Sequence, residues 1–202
     1  MRYGWWMAVC LTGTLAGCLG EDKAMSVPEA VAGGDAEAQF QWAMQLAEQR
    51  ELDEARRWLE KSAKQGYAPA QFYAAQWQAA DGKQAQAWLE ASAQQGFAPA
   101  QVRLGDDAVA QGAQAQAMDW YRRAAKAGDA QAQLSLGRLL AQSGDNEAAR
   151  VWLEHAAAQG EAEAQFELGM MHLAAGDTAR ATAWLQQAAS RGHDGARKML
   201  RR

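Results

Sequence analysis

The residue with the clearest chemical potential is Cys18, one of two cysteines in the 202-residue chain. It follows Leu15, Ala16 and Gly17, at the end of a mostly apolar run that begins at Trp5. The small side chains of Ala16 and Gly17 let a peptidase approach the backbone, and the thiol of Cys18 is the group that can form a thioether with a lipid. These residue types in this order single out Cys18 as the candidate for peptidase processing and for modification of its sulfur.

The first 17 residues have the layout of a signal peptide, with a short basic end, an apolar core and small residues at the exit. The apolar core is shorter than the about 20 residues that a membrane-spanning helix needs. Leu-Ala-Gly-Cys resembles a bacterial lipobox, which implies an acyl group such as palmitate on Cys18. Leu19 is not the aspartate associated with inner-membrane retention, so the resemblance favours an outer-membrane anchor facing the periplasm. An ordinary cleaved signal peptide with a chance cysteine is the alternative.

Residues 18–33 form a small, polar stretch rich in Ala, Gly and Glu, which predicts a flexible tether. The remaining body, residues 34–202, has no cysteine, so we expect neither a disulfide framework nor a thiolate metal site in it. The net charge of −4 and the pI near 5.4 offer no basic field to a polyanion. Nucleic acid is therefore not an expected partner.

The histidines form no catalytic or metal-binding pattern. His155, His172 and His193 lack the His-x-x-x-His or His-Glu-x-x-His spacing of zinc sites, and His172 is interpreted as core filler. The sequence has no Gly-x-Ser-x-Gly elbow and no phosphate-binding glycine loop. We expect no metal, no cofactor beyond the covalent lipid and no catalytic residue, so an enzyme is the least favoured class of function.

The body consists of five copies of one sequence unit. A Gly-x-Ala-x-Ala-Gln motif recurs at steps of 32, 30, 32 and 32 residues, and an Ala-x-x-Trp motif occurs once in each unit. A repeat of this length is typical of helical solenoids. The units begin at Gly34, Gly66, Gly96, Gly128 and Gly160, with a partial copy from Gly192.

Each unit is predicted to hold two helices. In unit four, Ala149, Trp152, Leu153 and Ala156 form one apolar stripe at helical spacing. Because stacked neighbours bury a continuous core, we expect an all-α, right-handed solenoid of about five helix pairs with a C-terminal capping helix. Glycines are predicted to mark the turn inside four of the pairs: Gly82, Gly112, Gly144 and Gly176.

The combined motif, Gly-x-Ala-x-Ala-Gln, then Leu-Gly, then Ala-x-x-Trp-[Leu/Tyr]-x-x-Ala-Ala-x-x-Gly, resembles the Sel1-like repeat, a relative of the tetratricopeptide repeat. The resemblance covers about residues 34–202. The chain departs from the family in a shorter inner turn and in the first-helix tyrosine, which is replaced by Leu46, Ala108, Leu140 and His172. The resemblance implies scaffolding and protein–protein recognition rather than catalysis.

Nine tryptophans raise the alternative of a lipoprotein that binds glycan or peptidoglycan. Trp42 takes a position that is Leu in later units, so it is assigned to the core. Trp77 breaks the pattern and either fills a core slot or faces out. The five ladder tryptophans are also assigned to the core: Trp58, Trp88, Trp120, Trp152 and Trp184.

The main functional prediction is a membrane-anchored envelope scaffold that binds a protein or peptide. In this architecture the first helices line the concave side, and their variable positions are candidate contacts. Exposed aromatic, Arg and Met side chains are the types that anchor partners, whereas a merely solvated face is the alternative. The candidates are Tyr73, Gln76, Trp77, Arg103, Asp106, Asp107, Arg138, Met170 and Met171.

Overall fold

The structure is a computed structural model that describes residues 27–77 and 82–201. All regular structure in this part of the chain is helical, so the all-α prediction is confirmed. None of its helices combines the length and the apolar composition that crossing a bilayer requires. The helices are α1 (Glu29–Ala32), α2 (Ala36–Glu48), α3 (Leu52–Lys64), α4 (Ala68–Trp77), α5 (Gly82–Gln94), α6 (Ala98–Ala110), α7 (Gln114–Lys126), α8 (Ala130–Gln142), α9 (Asn146–Ala158), α10 (Ala162–Ala174), α11 (Thr178–Ser190) and α12 (Asp194–Leu200).

Consecutive helices form pairs that stack side by side along the chain. Helix α2 packs with α3, α4 with α5, α6 with α7, α8 with α9, and α10 with α11, and the second helix of each pair also packs against the first helix of the next. The half repeat α12 packs on α11. The molecule is therefore a solenoid of five helix pairs with a capping helix, as the repeat pattern predicts. We call α2, α4, α6, α8 and α10 the first helices and their partners the second helices.

The two helices of a pair approach closely where the second helix presents the residue after its tryptophan. In repeats three to five, the first helix carries a glycine opposite this residue. A Cβ on Gly137 would lie 2.8 Å from Leu153 Cγ, so only a residue without a side chain fits there. The residues that follow the tryptophans are 1–7% exposed: Leu59, Leu89, Tyr121, Leu153 and Leu185.

The tryptophan ladder lies at the edge of the core, so its assignment to the core is wrong for four of its five members. Successive residues are about 100° apart around a helix, so a tryptophan cannot point at the first helix when the next residue does. Trp120, for example, packs against a cluster shared by repeats two and three. Trp88 is buried as predicted, as is Trp42. The half-buried members are Trp58, Trp120, Trp152 and Trp184.

The predicted turn glycines do not all lie in turns. Gly112, Gly144 and Gly176 have φ values between 74° and 90°, a conformation that residues with a Cβ rarely adopt. Gly82 was predicted to mark the same turn, but it is the first residue of α5, so this prediction is wrong. The cause is the shorter unit, since Gly82 precedes Ala85 by three residues whereas the other glycines precede their ladder alanine by five.

A buried glutamine in each first helix fixes the register between neighbouring repeats. Its side-chain amide donates to a carbonyl near the end of the preceding second helix, as from Gln71 Nε2 to Ala63 O over 3.3 Å. These bonds satisfy polar groups inside the core, because the glutamines are 1–7% exposed. The ladder comprises Gln39, Gln71, Gln101, Gln133 and Gln165.

Residues Glu29–Ala32, just before the first repeat, form the short helix α1. Val31 on α1 is 3% exposed and belongs to the same core cluster as Trp42, and Gln39 Nε2 donates to Val31 O over 3.3 Å. Residues 28–33 thus act as the last turn of an incomplete second helix, and the prediction of a flexible tether is wrong for them. The signal peptide, the rest of the tether and the lipidation motif lie outside the described residues, including Leu15, Ala16, Gly17 and Cys18.

Candidate functional site

Aromatic side chains collect on the first-helix side of repeats one to three. The ring of Phe40 on α2 contacts two tyrosines, with centroids 5.5 Å from Tyr67 and 5.7 Å from Tyr73. Tyr67 precedes α4 directly and Tyr73 lies on it. These three residues, together with Met44 and Phe97, are half-buried and keep part of their apolar surface in solvent. We call these five residues the aromatic face.

Phe72 supports the aromatic face from the core. It is buried, and its ring lies edge-on at 5.3 Å from Tyr73 and 5.4 Å from Phe97, measured between centroids. Edge-to-face pairs stabilise a fixed arrangement of rings beyond the area they bury. The rings of repeats two and three are therefore positioned before any partner binds.

The first-helix side of repeats four and five is charged instead, and its charges are paired within the chain. Arg138 on α8 donates to Glu163 Oε1 over 2.7 Å and also to Glu167, both on α10. Burial raises the pKa of Glu167, and the hydrogen bond and charge of Arg138 oppose that shift. The guanidinium is thus engaged by the neighbouring repeat.

A tyrosine from a second helix reaches the acidic residues of repeat three. Tyr121 Oη donates to Asp106 Oδ1 over 2.6 Å. Burial, followed by the hydrogen bond and charge of Asp106, raises the pKa of this hydroxyl above its ordinary value of 10.0. The ring passes Gly105, where a Cβ would lie 2.5 Å from Tyr121 Cε1. Beside it, Arg103 and Asp107 form an ion pair of 3.1 Å.

His193 has a structural position that sequence reasoning did not assign. Its Nδ1 accepts from the backbone N–H of Ala196 over 3.0 Å and caps α12, while Nε2 lies 3.0 Å from Glu163 Oε2. Its ring stacks on Phe166 with centroids 4.3 Å apart. The sequence could have indicated this capping role, because Asp129 occupies the same place in its repeat and caps α8.

The remaining histidines form no site in the structure. His155 is exposed on α9, and His172 is half-buried on α10 rather than fully in the core as predicted. Across residues 27–77 and 82–201, no group of three or more His, Cys, Asp or Glu side chains could hold a metal ion.

The repeats match a known family. The family described as Sel1 repeat matches residues 36–67, 69–97, 98–129, 130–161 and 162–193, which together make up most of the chain. The chain belongs to the Sel1 repeat family. Comparison with curated proteins gives no match.

Two solved Sel1-type structures resemble this chain at 30% identity. The Sel1 repeat protein from Oxalobacter formigenes has a TM-score of 0.73 and shares 86% of this chain and 56% of its own. The protein c5321 of uropathogenic Escherichia coli, a protective antigen with an SLR fold, has a TM-score of 0.71 and shares 83% of this chain and 40% of its own. This chain thus spans about half or less of their length. YrrB, described as a TPR protein with an unusual peptide-binding site, shares the fold at 21% identity and a TM-score of 0.54.

Some of the predicted contact residues of these Sel1 repeats are accessible. Tyr73 belongs to the aromatic face. Gln76 lines a cleft of about 500 Å³ between repeats two and three, together with Arg103 and Asp107. Met170 is 40% exposed on α10, in a different part of the solenoid from the aromatic face. The structure therefore brings three of the nine candidates together around the cleft.

The other predicted contacts are already occupied. Trp77 and Met171 are half-buried and pack against core clusters, so Trp77, like the half-buried ladder tryptophans, lies at the edge of the core and neither fills it nor faces fully out. Arg138 and Asp106 are engaged by Glu163 and Tyr121, as described above. A partner would have to displace these internal contacts before it could use the four side chains as anchors.

Sequence reasoning missed four of the five residues of the aromatic face. Tyr67 and Phe97 directly follow the glycine that begins a Sel1 unit, and Phe40 directly follows a ladder glutamine. Tyr67 and Phe97 thus occupy an unspecified position of the Gly-x-Ala-x-Ala-Gln motif and Phe40 lies just after the motif, and none of the three was assigned a role from the sequence. The sequence did carry a signal for Tyr67 and Phe97. The residue after the glycine is aromatic in units two and three but acidic, Asp129 and Glu161, in units four and five.

The half-buried tryptophans of the Sel1 second helices are partly covered by polar neighbours. Lys61 Nζ lies 3.8 Å from the ring centroid of Trp58, and Arg123 Cζ lies 4.7 Å from that of Trp120. Such cation–π contacts occupy a ring face that a sugar would otherwise stack on. The surplus of tryptophan is thus accounted for by packing between repeats.

Proposed function

We propose that this protein is a lipid-anchored scaffold of the bacterial envelope, which docks an extended segment of a partner protein on its aromatic face. Sel1 and related repeat proteins generally mediate protein–protein interaction. The single observation that carries the proposal is the aromatic face itself. Four of its five members are rings on the first-helix side, held by contacts with one another or with the buried Phe72, and all five members are half-buried rather than closed into the core.

The aromatic half is favoured over the charged half on energetic grounds. Aromatic anchors dominate binding energy because they bury large apolar areas without leaving charges unpaired. To use Arg138, a partner would have to break its contacts with Glu163 and Glu167 and would leave two carboxylates without their cation. Binding across Phe40, Tyr67 and Tyr73 requires no such exchange.

The ring contacts cross the boundary between repeats. The centroid of Phe40 lies 5.5 Å from that of Tyr67 and 5.7 Å from that of Tyr73, so a ring of repeat one and two rings of repeat two form one patch. Because the rings come from neighbouring repeats, the segment would run across the repeats.

The proposed lipid anchor on Cys18 would determine where the solenoid meets its partner. Val27, the first described residue, lies nine positions after Cys18. Covalent geometry limits nine residues to a span of about 30 Å. A lipid on Cys18 would therefore hold the aromatic face near the membrane surface, where it would meet partners of the envelope.

The partner is tested by photo-crosslinking and pull-down from envelope extracts. Wild type is compared with Tyr73→Ala, which removes a central ring, and with Met170→Ala, which removes an exposed side chain from the charged half. We expect captured proteins that are lost with Tyr73→Ala and kept with Met170→Ala, while circular dichroism shows equal helicity. Equal capture by all three proteins would contradict a role for the aromatic face. Recovery of peptidoglycan fragments in place of proteins would favour the glycan alternative.

A further inference from the structure

Two carboxylates flank the aromatic face at the start of α2. Glu37 lies one helical turn before Phe40 on the same side of α2, and Asp35 is the N-cap of that helix. Both side chains are exposed. Within the part of the chain that the structure describes, neither forms an ion pair, although Asp35 accepts from the N–H of Ala38 and Glu37 from Gln41. We call Asp35 and Glu37 the acidic rim.

The acidic rim acts on the rings beside it. The pKa of the Tyr67 hydroxyl is raised by burial first and then by the charges of Glu37 and Asp35. The rim therefore places negative potential at the same ring that Phe40 contacts at 5.5 Å. Aromatic rings next to free carboxylates form an environment that favours a cation, since the ring faces and the carboxylates both attract positive charge.

Elsewhere on the described first helices this combination does not occur. Glu163 and Glu167 share the cation of Arg138, and Asp107 is paired with Arg103. Asp129 and Glu161, which hold the Asp35 position in units four and five, have no tyrosine pair beside them. Free carboxylates and accessible rings thus coincide at repeats one and two.

We propose that the segment bound on the aromatic face presents an arginine or lysine to the acidic rim and an adjacent apolar side chain to the rings. This inference rests on the proposed docking function and specifies the chemistry of its partner. The basic side chain lies across Tyr67 with its cation toward Glu37 and Asp35, while the apolar side chain packs on Phe40 and Tyr73. Charge at this rim selects among segments, whereas the rings supply most of the affinity.

The proposal is tested first by selection from a random peptide library displayed on phage. The immobilised proteins are the wild-type solenoid and Tyr73→Ala. We expect peptides that depend on Tyr73 and are enriched in Arg or Lys next to a Leu, Ile or aromatic residue. Peptides that depend on Tyr73 without basic enrichment would overturn this inference and leave the docking function standing. Failure to select any peptide that depends on Tyr73 would overturn both.

A matched pair of variants then measures the contribution of the rim. The rim variant is Asp35→Asn with Glu37→Gln, in which asparagine retains the N-cap. Its control is Asp129→Asn with Glu161→Gln, which removes the same charge and changes the same kind of N-cap in later repeats. The probes are two fluorescein-labelled octapeptides, one alternating Arg with Leu and one alternating Glu with Leu, measured by anisotropy.

The expected outcome is a specific loss at the rim. The Arg–Leu peptide should bind wild type at least tenfold more tightly than the Glu–Leu peptide. The rim variant should weaken the Arg–Leu peptide about tenfold, because exposed charge contacts contribute about two- to fivefold each, and the control should change it less than twofold. Equal weakening by rim and control variants would show an effect of net charge alone and would overturn the proposal.

Discussion

Gln159 Nε2 donates to Gln133 Oε1 over 2.8 Å and so ties the end of a second helix to the first helix of its own repeat. The same bond joins Gln65 to Gln39 over 2.7 Å and Gln95 to Gln71 over 2.8 Å. In repeat three the donor position is Ala127, and the buried Oε1 of Gln101 has no partner. Repeat three thus carries an unpaired acceptor where repeats one, two and four carry a hydrogen bond. In repeat five the donor position is Arg191, and Gln165 Oε1 is also unpaired.

Replacing Ala127→Gln should therefore stabilise the solenoid. The new amide would reach Gln101 Oε1 from the same position as Gln159 reaches Gln133. An additional hydrogen bond to a buried acceptor raises the free energy of unfolding by about 1 kcal/mol. Urea unfolding followed by circular dichroism measures the change, with Ala158→Gln, one residue before the equivalent position in repeat four, as the control. A gain of equal size in the control would show a general benefit of glutamine and contradict the pairing.

Substituting Gly137→Ala should destabilise the protein, because the added Cβ would lie 2.8 Å from Leu153 Cγ and 3.3 Å from the carbonyl oxygen of Ala149. Overpacking of this kind lowers the free energy of unfolding by about 1–3 kcal/mol. Unfolding of Gly137→Ala, Leu153→Ala and the double variant forms a double-mutant cycle. The loss in the double variant should be smaller than the sum of the single losses, since Leu153→Ala vacates the space. Additive losses would mean that the two residues do not compete for one site.

Tyr121→Phe should lower the free energy of unfolding at neutral pH, and this loss should become smaller at alkaline pH. The folded state raises the pKa of Tyr121 above 10.0, so the hydroxyl ionises earlier in the unfolded chain than in the folded one. Stability from this group is fully present below the unfolded pKa and declines as pH rises above it, by at most about 1.4 kcal/mol per pH unit. The advantage of wild type over Tyr121→Phe should thus shrink from about pH 9 to about pH 11.

The measurement for this tyrosine is the free energy of urea unfolding at several pH values. Tyr73→Phe is the control, because it removes a hydroxyl from the half-exposed surface. A difference between wild type and Tyr121→Phe that stays constant across the alkaline range would contradict a raised pKa in the folded state. A similar decline for Tyr73→Phe would show that the effect is not specific to the contact with Asp106.

Much of the fold was predictable because its determinants are local and repeated. The ladder glutamines and unit glycines recur at nearly constant steps, and their periodicity predicts helix pairs without knowledge of tertiary contacts. Most of the ladder tryptophans were assigned to the core although the residue that follows each of them is the one buried between the helices of a pair. Two consecutive residues lie only 100° apart around a helix, so both fall on the apolar stripe, and the sequence does not show which of them faces the partner helix. Gly82 was misplaced because a two-residue deficit shifts the start of α5, and a sequence pattern does not show on which side of a turn the deletion falls.

The candidate site was less predictable, because exposure and pairing depend on neighbours that are distant in sequence. Arg138 looks like a free anchor in the sequence, and only the structure shows Glu163 and Glu167 beside it. Met171 looks like a surface methionine but packs on the core of repeats four and five. Conversely, Phe40 and Tyr67 are 27 positions apart in the chain and meet only when the first two repeats stack.

Arg138→Gln should destabilise the solenoid at neutral pH and less so in mild acid. Removing the guanidinium leaves Glu163 and Glu167 without their shared cation, and Glu167 is already a carboxyl whose pKa burial raises. The free energy of unfolding should fall by about 1–2 kcal/mol at neutral pH. As pH falls, the folded variant takes up a proton on Glu167 before the unfolded chain does, so part of the loss is recovered.

Arg150→Gln is the matched control for this change. Arg150 also contacts two glutamates, Glu147 and Glu154, but all three lie on one helix and both glutamates are more exposed than Glu167. Its loss should cost less than about 0.5 kcal/mol, because surface ion pairs contribute little. Equal losses for Arg138→Gln and Arg150→Gln, or a loss for Arg138→Gln that does not depend on pH, would contradict the role assigned to the pair between repeats.

Cys18→Ala should abolish lipidation and release the protein from the membrane. The small residues Ala16 and Gly17 precede the only thiol near the end of the predicted signal peptide, and alanine cannot form the thioether. Intact mass of the membrane-extracted wild type should correspond to a chain that begins at Cys18 and carries added acyl mass, whereas the variant should lack that mass and be depleted from the outer-membrane fraction. An unmodified wild-type chain, or one cleaved elsewhere, would contradict the anchor and leave a scaffold whose aromatic face meets partners without the membrane.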